Sequence, residues 1–301
     1  MLEPHAGSST GRPRGNLRFA LAALALLSPA ASPGSAQAPS TATPRLLVVC
    51  APGYPGSTVE AQPAIDALAG AVAAAAGWKP GELAGIYFES EEAGVARLAA
   101  PAATLALVPL IFWLEHPERL QLLPHLQAVA QGGEAAEAWS LVAGKGKVTG
   151  PVSLAGFELV SLAGNTPRFV RGPALAGWGS LPADLKIVFS GSLLSALRRA
   201  TAGEKVALLL DRGQAAALAT LPSARELEVV TRSPPLPVSV LCSVGDRLPA
   251  AKLRALLAAF TGLDETPPGT EALAGVRLSR FVLADAKALA SARDVYDRMQ
   301  E

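Results

Sequence analysis

The chain has 301 residues, half of them hydrophobic, with 17% charged and 5% aromatic side chains. That composition fills cores with small aliphatics and excludes a disordered chain, and the length favours two lobes over a single compact core. Lys and Arg number 26 against 25 Asp and Glu, and neither the two cysteines nor the three histidines fall in CxxC or HExxH spacing, so nucleic-acid binding, a usual zinc site and a bound cofactor are not expected.

Taken from the N-terminus, Arg12, Arg14 and Arg18 precede an apolar stretch from Phe19 to Leu27, followed by Pro29, Pro33 and Ala36-Gln37-Ala38. This three-part pattern predicts a secretory signal over residues 1–38, cleaved after Ala38. Its apolar stretch is about half the ~20 residues of a spanning helix. Removing it takes three arginines and one glutamate from the 26 basic and 25 acidic side chains, leaving 23 and 24. Leu47-Val48-Val49-Cys50 resembles a lipoprotein box only superficially, because the apolar stretch lies too far upstream, and lipidation is not expected. The uncharged run Leu98 to Leu114 is broken by Pro101 and Pro109 and predicts a helix end, a buried strand and a new helix start rather than a bilayer span. The mature chain is therefore expected to be soluble outside the cytoplasm.

Arg45 to Ala51 is an apolar run of the kind buried on both sheet faces, followed by a turn-rich loop and an Ala-rich helix ending near Gly77. Strands at Leu83–Phe88 and Thr104–Val108 flank a helix at Glu91–Ala99. Gln131-Gly132-Gly133 marks a boundary, after which strands are predicted at Trp139–Ala143, Phe157–Leu162, Lys186–Phe189, Val206–Leu210 and Leu227–Val230. Helices are predicted at Pro167–Leu175, Leu193–Thr201 and Gly213–Leu221. A Pro-rich hinge, Ser233–Pro237, leads to a strand at Val238–Cys242, a helix at Pro249–Phe260 and a strand near Val276–Leu283. This alternation is the pattern of parallel α/β sheets with right-handed crossovers. Two lobes joined by strands near 139–143 and 238–242, or two domains in series, both give this order.

The words of the second half separate the two. Leu185 to Ser192 resembles the strand and Gly/Ser turn of the periplasmic substrate-binding proteins of the phosphate, phosphite and phosphonate uptake type. Leu194 to Ala202 resembles their Ala/Arg helix, and Gly203 to Ala207 with Asp211 resembles the entry to their next strand. Thr231 to Pro237 is similar to their "ser-pro-pro-ile-pro" hinge, and Phe281-Val282-Leu283-Ala284 to their "phe-val-pro-ala" close. The resemblance implies an α/β, two-lobed type 2 periplasmic-binding-protein fold, each lobe a mostly parallel sheet flanked by helices, with two crossover strands as hinge. It places lobe one at residues 39–140 and 240–301 and lobe two at 141–239. The implied function is capture of a small ligand, an anion among the candidates, in an interlobe cleft and delivery to an ABC-transporter permease. The alternative is a ligand-free or sensory protein that keeps the fold and contacts a membrane sensor kinase. The implied strand order also leaves one strand between Cys50 and Cys242, a gap of about 9 to 10 Å, too wide for a disulfide. Two buried free thiols are expected.

Ligands of open α/β sheets gather beyond the carboxyl ends of strands, which selects Tyr54, Ser57 and Thr58 after the first strand, Asn165 and Thr166 before the helix at Pro167, and Asp211 at the end of the strand Val206–Leu210. Each can instead be a helix cap. The family's Ser-x-Ser-Gly anion turn is replaced here by Ala163-Gly164-Asn165-Thr166-Pro167, with fewer hydroxyls for an anion. Arg168, Arg171 and Arg212 are of the type that holds a carboxylate or phosphate, or are surface arginines. Glu115 and His116, adjacent on a helix, read as surface polar residues rather than an acid–base pair. No catalytic serine elbow and no phosphate loop is present, and an enzyme is not expected.

Overall fold

The computed structural model describes residues 43–53 and 57–299. The expected signal segment and Tyr54 lie outside the described residues. The first sheet begins with β1 (Arg45–Cys50), β2 (Leu83–Phe88) and β3 (Ala103–Pro109), connected by α1 (Thr58–Ala75) and α2 (Glu91–Ala99). β1 after Arg45, and β3 apart from Thr104, are apolar runs because helices cover both faces of the sheet. Leu47 and Val49 pack with Ile65 and Leu68 of α1, whereas Leu46, Val48 and Cys50 pack with Val95 and Leu98 of α2, the alternation that a two-residue period requires.

The chain continues through α3 (Leu110–Glu115), β4 (Leu122–Ala130) and the two-residue β5 (Ala136–Glu137). The second sheet holds β6 (Ser140–Gly144), β7 (Glu158–Ser161), β8 (Lys186–Phe189), β9 (Val206–Leu210) and β10 (Leu227–Arg232). Between these strands lie α4 (Pro167–Phe169), α5 (Leu194–Thr201) and α6 (Arg212–Ala219). The two-residue β11 (Leu236–Pro237) then leads back to the first sheet with β12 (Ser239–Val244), α7 (Ala250–Thr261), α8 (Pro267–Gly275), β13 (Leu278–Leu283) and α9 (Ala286–Arg298).

The sheet orders are β13-β4-β12-β3-β1-β2 and β10-β6-β9-β7-β8. β1 to β4 point one way, with β12 and β13 against them; in the second sheet only β6 runs against the other four strands. β12 inserts between β3 and β4, so β3 separates it from β1, and Cys50 and Cys242 are buried free thiols. The same Ala106 of β3 pairs with Val48 on one side and Cys242 on the other.

The crossings between sheets are shorter than expected. The strands near 139–143 and 238–242 belong to the sheets themselves, and the crossing pieces are β5 and β11, which pair antiparallel through Leu236 with Glu137 and Pro237 with Ala136. The helix expected over 167–175 is also reduced. Three α-helical residues give way to a wider turn over Val170–Ala174 that Gly172, at φ −93° and ψ −105°, and Pro173 break. Among the described residues no helix is long and apolar enough to cross a membrane.

Candidate functional site

The two sheets meet at their strand ends. Gly53, in the loop after β1, has φ +81° and approaches β8 so closely that a β-carbon there would lie 3.1 Å from Cε2 of Phe189 and 3.6 Å from the Leu162 carbonyl oxygen. Glycine alone satisfies both the backbone angle and the contact. Beneath this contact is a cavity of about 50 Å³, walled by Gly53, Glu91, Phe112 and Glu115 on the first side and by Leu162, Asn165, Thr166 and Phe189 on the second, with Trp139 of the crossing segment. That is room for a few waters or one small ligand.

Each polar wall residue follows a strand that points into the cleft. Glu91 is the first residue of α2, just beyond β2, with Ser90 capping the helix by accepting from the Ala93 amide. Glu115 closes α3, which leaves β3 directly. Asn165 and Thr166 occupy the short loop after β7. His116 Nε2 lies 2.8 Å from Glu91 Oε1, and its ring packs edge-on against Phe112. The Glu115 carboxyl is pushed up from the usual carboxylate range, first by burial and then by the neighbouring Glu91 charge, against smaller opposing effects of the Thr166 hydroxyl, His116 and Arg168.

The residues selected from the sequence separate into two groups. Asn165 and Thr166 line the cavity. Thr166 is only 6% exposed and makes no side-chain cap bond to α4, although it occupies the N-cap position. Ser57 caps α1 in a reciprocal box with Glu60, its hydroxyl donating to the Glu60 carboxylate at 2.9 Å, and Thr58 is the first helical residue; neither lines the cavity. Asp211 likewise caps α6, accepting from the Gln214 amide at 2.7 Å. It stands beside Glu137 of the crossing strand, whose carboxyl is pushed up to about 7 by burial and by the Asp211 charge.

The arginines are occupied elsewhere. Arg168 stacks 4.2 Å from the Tyr296 ring centroid, and Arg171 donates to the carbonyls of Leu181, Pro182 and Leu185. Arg212 donates to the Gly132 carbonyl. Glu115, read from the sequence with His116 as a surface polar residue, lines the cavity instead, because α3 ends at the cleft, and Glu91 is the wall residue that sequence reasoning passed over. The strand-end rule that selected Ser57 and Asp211 selects Glu91 equally well, since it begins the helix after β2. A second cavity, of about 590 Å³, opens on the α1 side of the first sheet alone, with Ile65, Tyr87 and Leu107 on its wall and Glu60 and Arg277 also lining it.

Two mixed sheets flanked by helices, linked by paired crossing strands and enclosing a cavity at their strand ends, give the two-lobed fold of the type 2 periplasmic binding proteins. Residues 171–289 match the family described as ABC transporter, phosphonate, periplasmic substrate-binding protein. That family is a transport-binding family rather than an enzymatic one. The fold is shared with XAC2383 from Xanthomonas citri bound to chloride ion, at TM-score 0.68 and 13% identity, over 85% of this chain and 98% of that one. It is also shared with a binding protein component of an ABC phosphonate transporter from Pseudomonas aeruginosa, at TM-score 0.58 and 14% identity, over 85% and 87% of the two chains. PhnD1 from Prochlorococcus marinus in complex with methylphosphonate gives TM-score 0.58 and 14% identity over 85% and 98%. No curated protein matches the sequence.

Proposed function

We propose that the chain is exported, loses residues 1–38, and captures one small ligand in the interlobe cavity for delivery to an ABC-transporter permease. Residues 39–140 and 240–301 act as lobe one and 141–239 as lobe two, closing about the β5–β11 crossing. The observation that carries this reading is the cavity itself, walled by Glu91 and Glu115 from one sheet and by Asn165 and Thr166 from the other. A wall contributed by both lobes couples ligand contact to closure, because each lobe completes its contacts only when the other is in place.

Native mass spectrometry of the exported protein, purified without refolding, tests the reading. The expected result is one small molecule per chain, lost on denaturation and depleted in Thr166→Val. A bare mass, together with no thermal shift against a broad ligand panel, overturns it.

A further inference from the structure

The charge on the cavity wall has a definite sign. Its charged side chains are Glu91 and Glu115, and none of its lining residues is a lysine or an arginine. The guanidinium of Arg168, outside the cavity wall, stacks on the Tyr296 ring and reaches the Tyr296 carbonyl at 3.3 Å and Asp297 at 3.8 Å, while its Nε is buried without a hydrogen-bond partner. An anion entering the cavity would therefore meet two acidic side chains, Glu91 in contact with His116 at 2.8 Å, and no lysine or arginine among the described lining residues.

Other features of the same wall suit a positive charge. Thr166, buried to 6% exposure and not used as a helix cap, lines the cavity and adds a neutral oxygen to a wall that holds both carboxyl groups. One ligand atom each from Glu91, Glu115 and His116 can be chosen so that all lie within 4.8 Å of one another. Phe112, Trp139 and Phe189 supply aromatic surface around the same space, and a cation is attracted to the face of such rings.

We propose that the ligand of the interlobe cavity carries a positive centre, seated between the carboxylates of Glu91 and Glu115 with the Thr166 oxygen beside it. The inference rests on the reading of this cavity as the ligand site and specifies the charge of what enters it. The positive centre has two chemical sources. A divalent metal ion would use the neutral imidazole of His116 as a third ligand. An organic ammonium group would use the carboxylates and aromatic faces alone.

Calorimetric titration of the mature, exported chain distinguishes these, with zinc chloride in one arm, ethanolamine, putrescine and choline in a second, and phosphate and methylphosphonate in a third. The expected result is saturable one-to-one binding of zinc or of an ammonium compound, weakened at least tenfold in both Glu91→Gln and Glu115→Gln, with the anions bound more weakly. Loss of binding in His116→Ala assigns the metal source; retention assigns the ammonium. Circular dichroism checks that each variant is folded, and Glu91→Gln, at the first turn of a helix, serves if Glu115→Gln is not. Tighter binding of phosphate or methylphosphonate, or cation binding indifferent to Glu91→Gln, overturns the inference while leaving the cavity a ligand site. Failure of all three arms with a bare native mass overturns the inference and the binding-protein reading together.

Discussion

Gly94 of α2 lies so close to the Cys50 sulfur that a β-carbon on it would overlap that atom. Cys50 ends β1 fully buried, and its thiol reaches the Ser90 carbonyl at 3.6 Å. The seating of α2, and with it the position of Glu91 at its first turn, is therefore set by a helix surface with no side chain at this point. Gly94→Ala should destabilise the protein by about 1–3 kcal/mol in urea denaturation, the usual range for overpacking a tight core. Adding Cys50→Ala should recover part of that loss, and strict additivity of the two changes would show that they do not meet.

Both thiols are raised by burial, Cys50 to about 12 and Cys242 further. Neither should react with a thiol reagent in the folded protein at neutral pH, because the thiolate is the reactive form. Both should react after denaturation without reductant. A pair that stays silent in the denatured monomer would require a disulfide, which the intervening β3 precludes.

Glu137 gives the crossing a pH dependence. Its carboxyl is raised from 4.5 to about 7 by burial and by Asp211, so the folded state holds its proton more tightly than the unfolded state does. The resulting contribution is fully present below about pH 4.5 and is lost as pH rises through about 7. Relative to Glu137→Gln, the wild-type protein should lose on the order of 2 kcal/mol of stability across that window, with allowance made for partial solvent exposure. Parallel denaturation curves for the two proteins at pH 4, 6 and 8 would measure it, and curves that keep a constant separation would contradict the assignment.

Arg247 holds the C-terminal end of α2 against β3. One of its guanidinium nitrogens donates to the carbonyls of Leu98, Ala100 and Ala103 at 2.8, 2.8 and 2.9 Å, and another to Ala99 at 3.4 Å. Arg247→Ala strands several partly buried acceptors and should cost about 2–3 kcal/mol. Arg247→Lys should recover less than half, because a single ammonium cannot reproduce the planar fork. Thermal denaturation of the three proteins decides it.

Much of this architecture is legible in the sequence because burial on both faces leaves a plain mark. Leu83–Phe88 and Glu91–Ala99 match the expected strand and helix at both ends, and the hinge words at 231–237 fall on the return crossing. β4 escaped because Pro124, His125 and Gln127 interrupt its apolar run. Two of the three are tolerated there through hydrogen bonds: Gln127 accepts from the Asp285 amide and donates to the Ala135 carbonyl, while His125 bonds the Ser243 hydroxyl. α9 escaped because its charged residues give no continuous apolar run. The wall carboxylates were hidden for a different reason. Glu91 and Glu115 are 24 positions apart in sequence and share a space only because β2 and β3 end on the same edge of the sheet.

α9 follows β13 of the first sheet, yet its Tyr296 takes the stacked guanidinium of Arg168, and its Asp297 lies 3.8 Å from the same arginine. A β-carbon on Gly172 would come within 2.9 Å of Met299, just past the helix end. The second sheet's chain is thus joined to the first by the two strands of the paired ribbon β5–β11 and is held a third time by side-chain contacts with this terminal helix. A body held on two adjacent tethers can swing and twist; a third attachment away from their line removes most of the twist. In the proposed closure, opening the cleft would either carry α9 along with the second sheet, bending the chain at Ala284-Asp285, or break the Arg168–Tyr296 stack. The C-terminal helix is in that sense a stay that limits how far, and in which plane, the jaws can part.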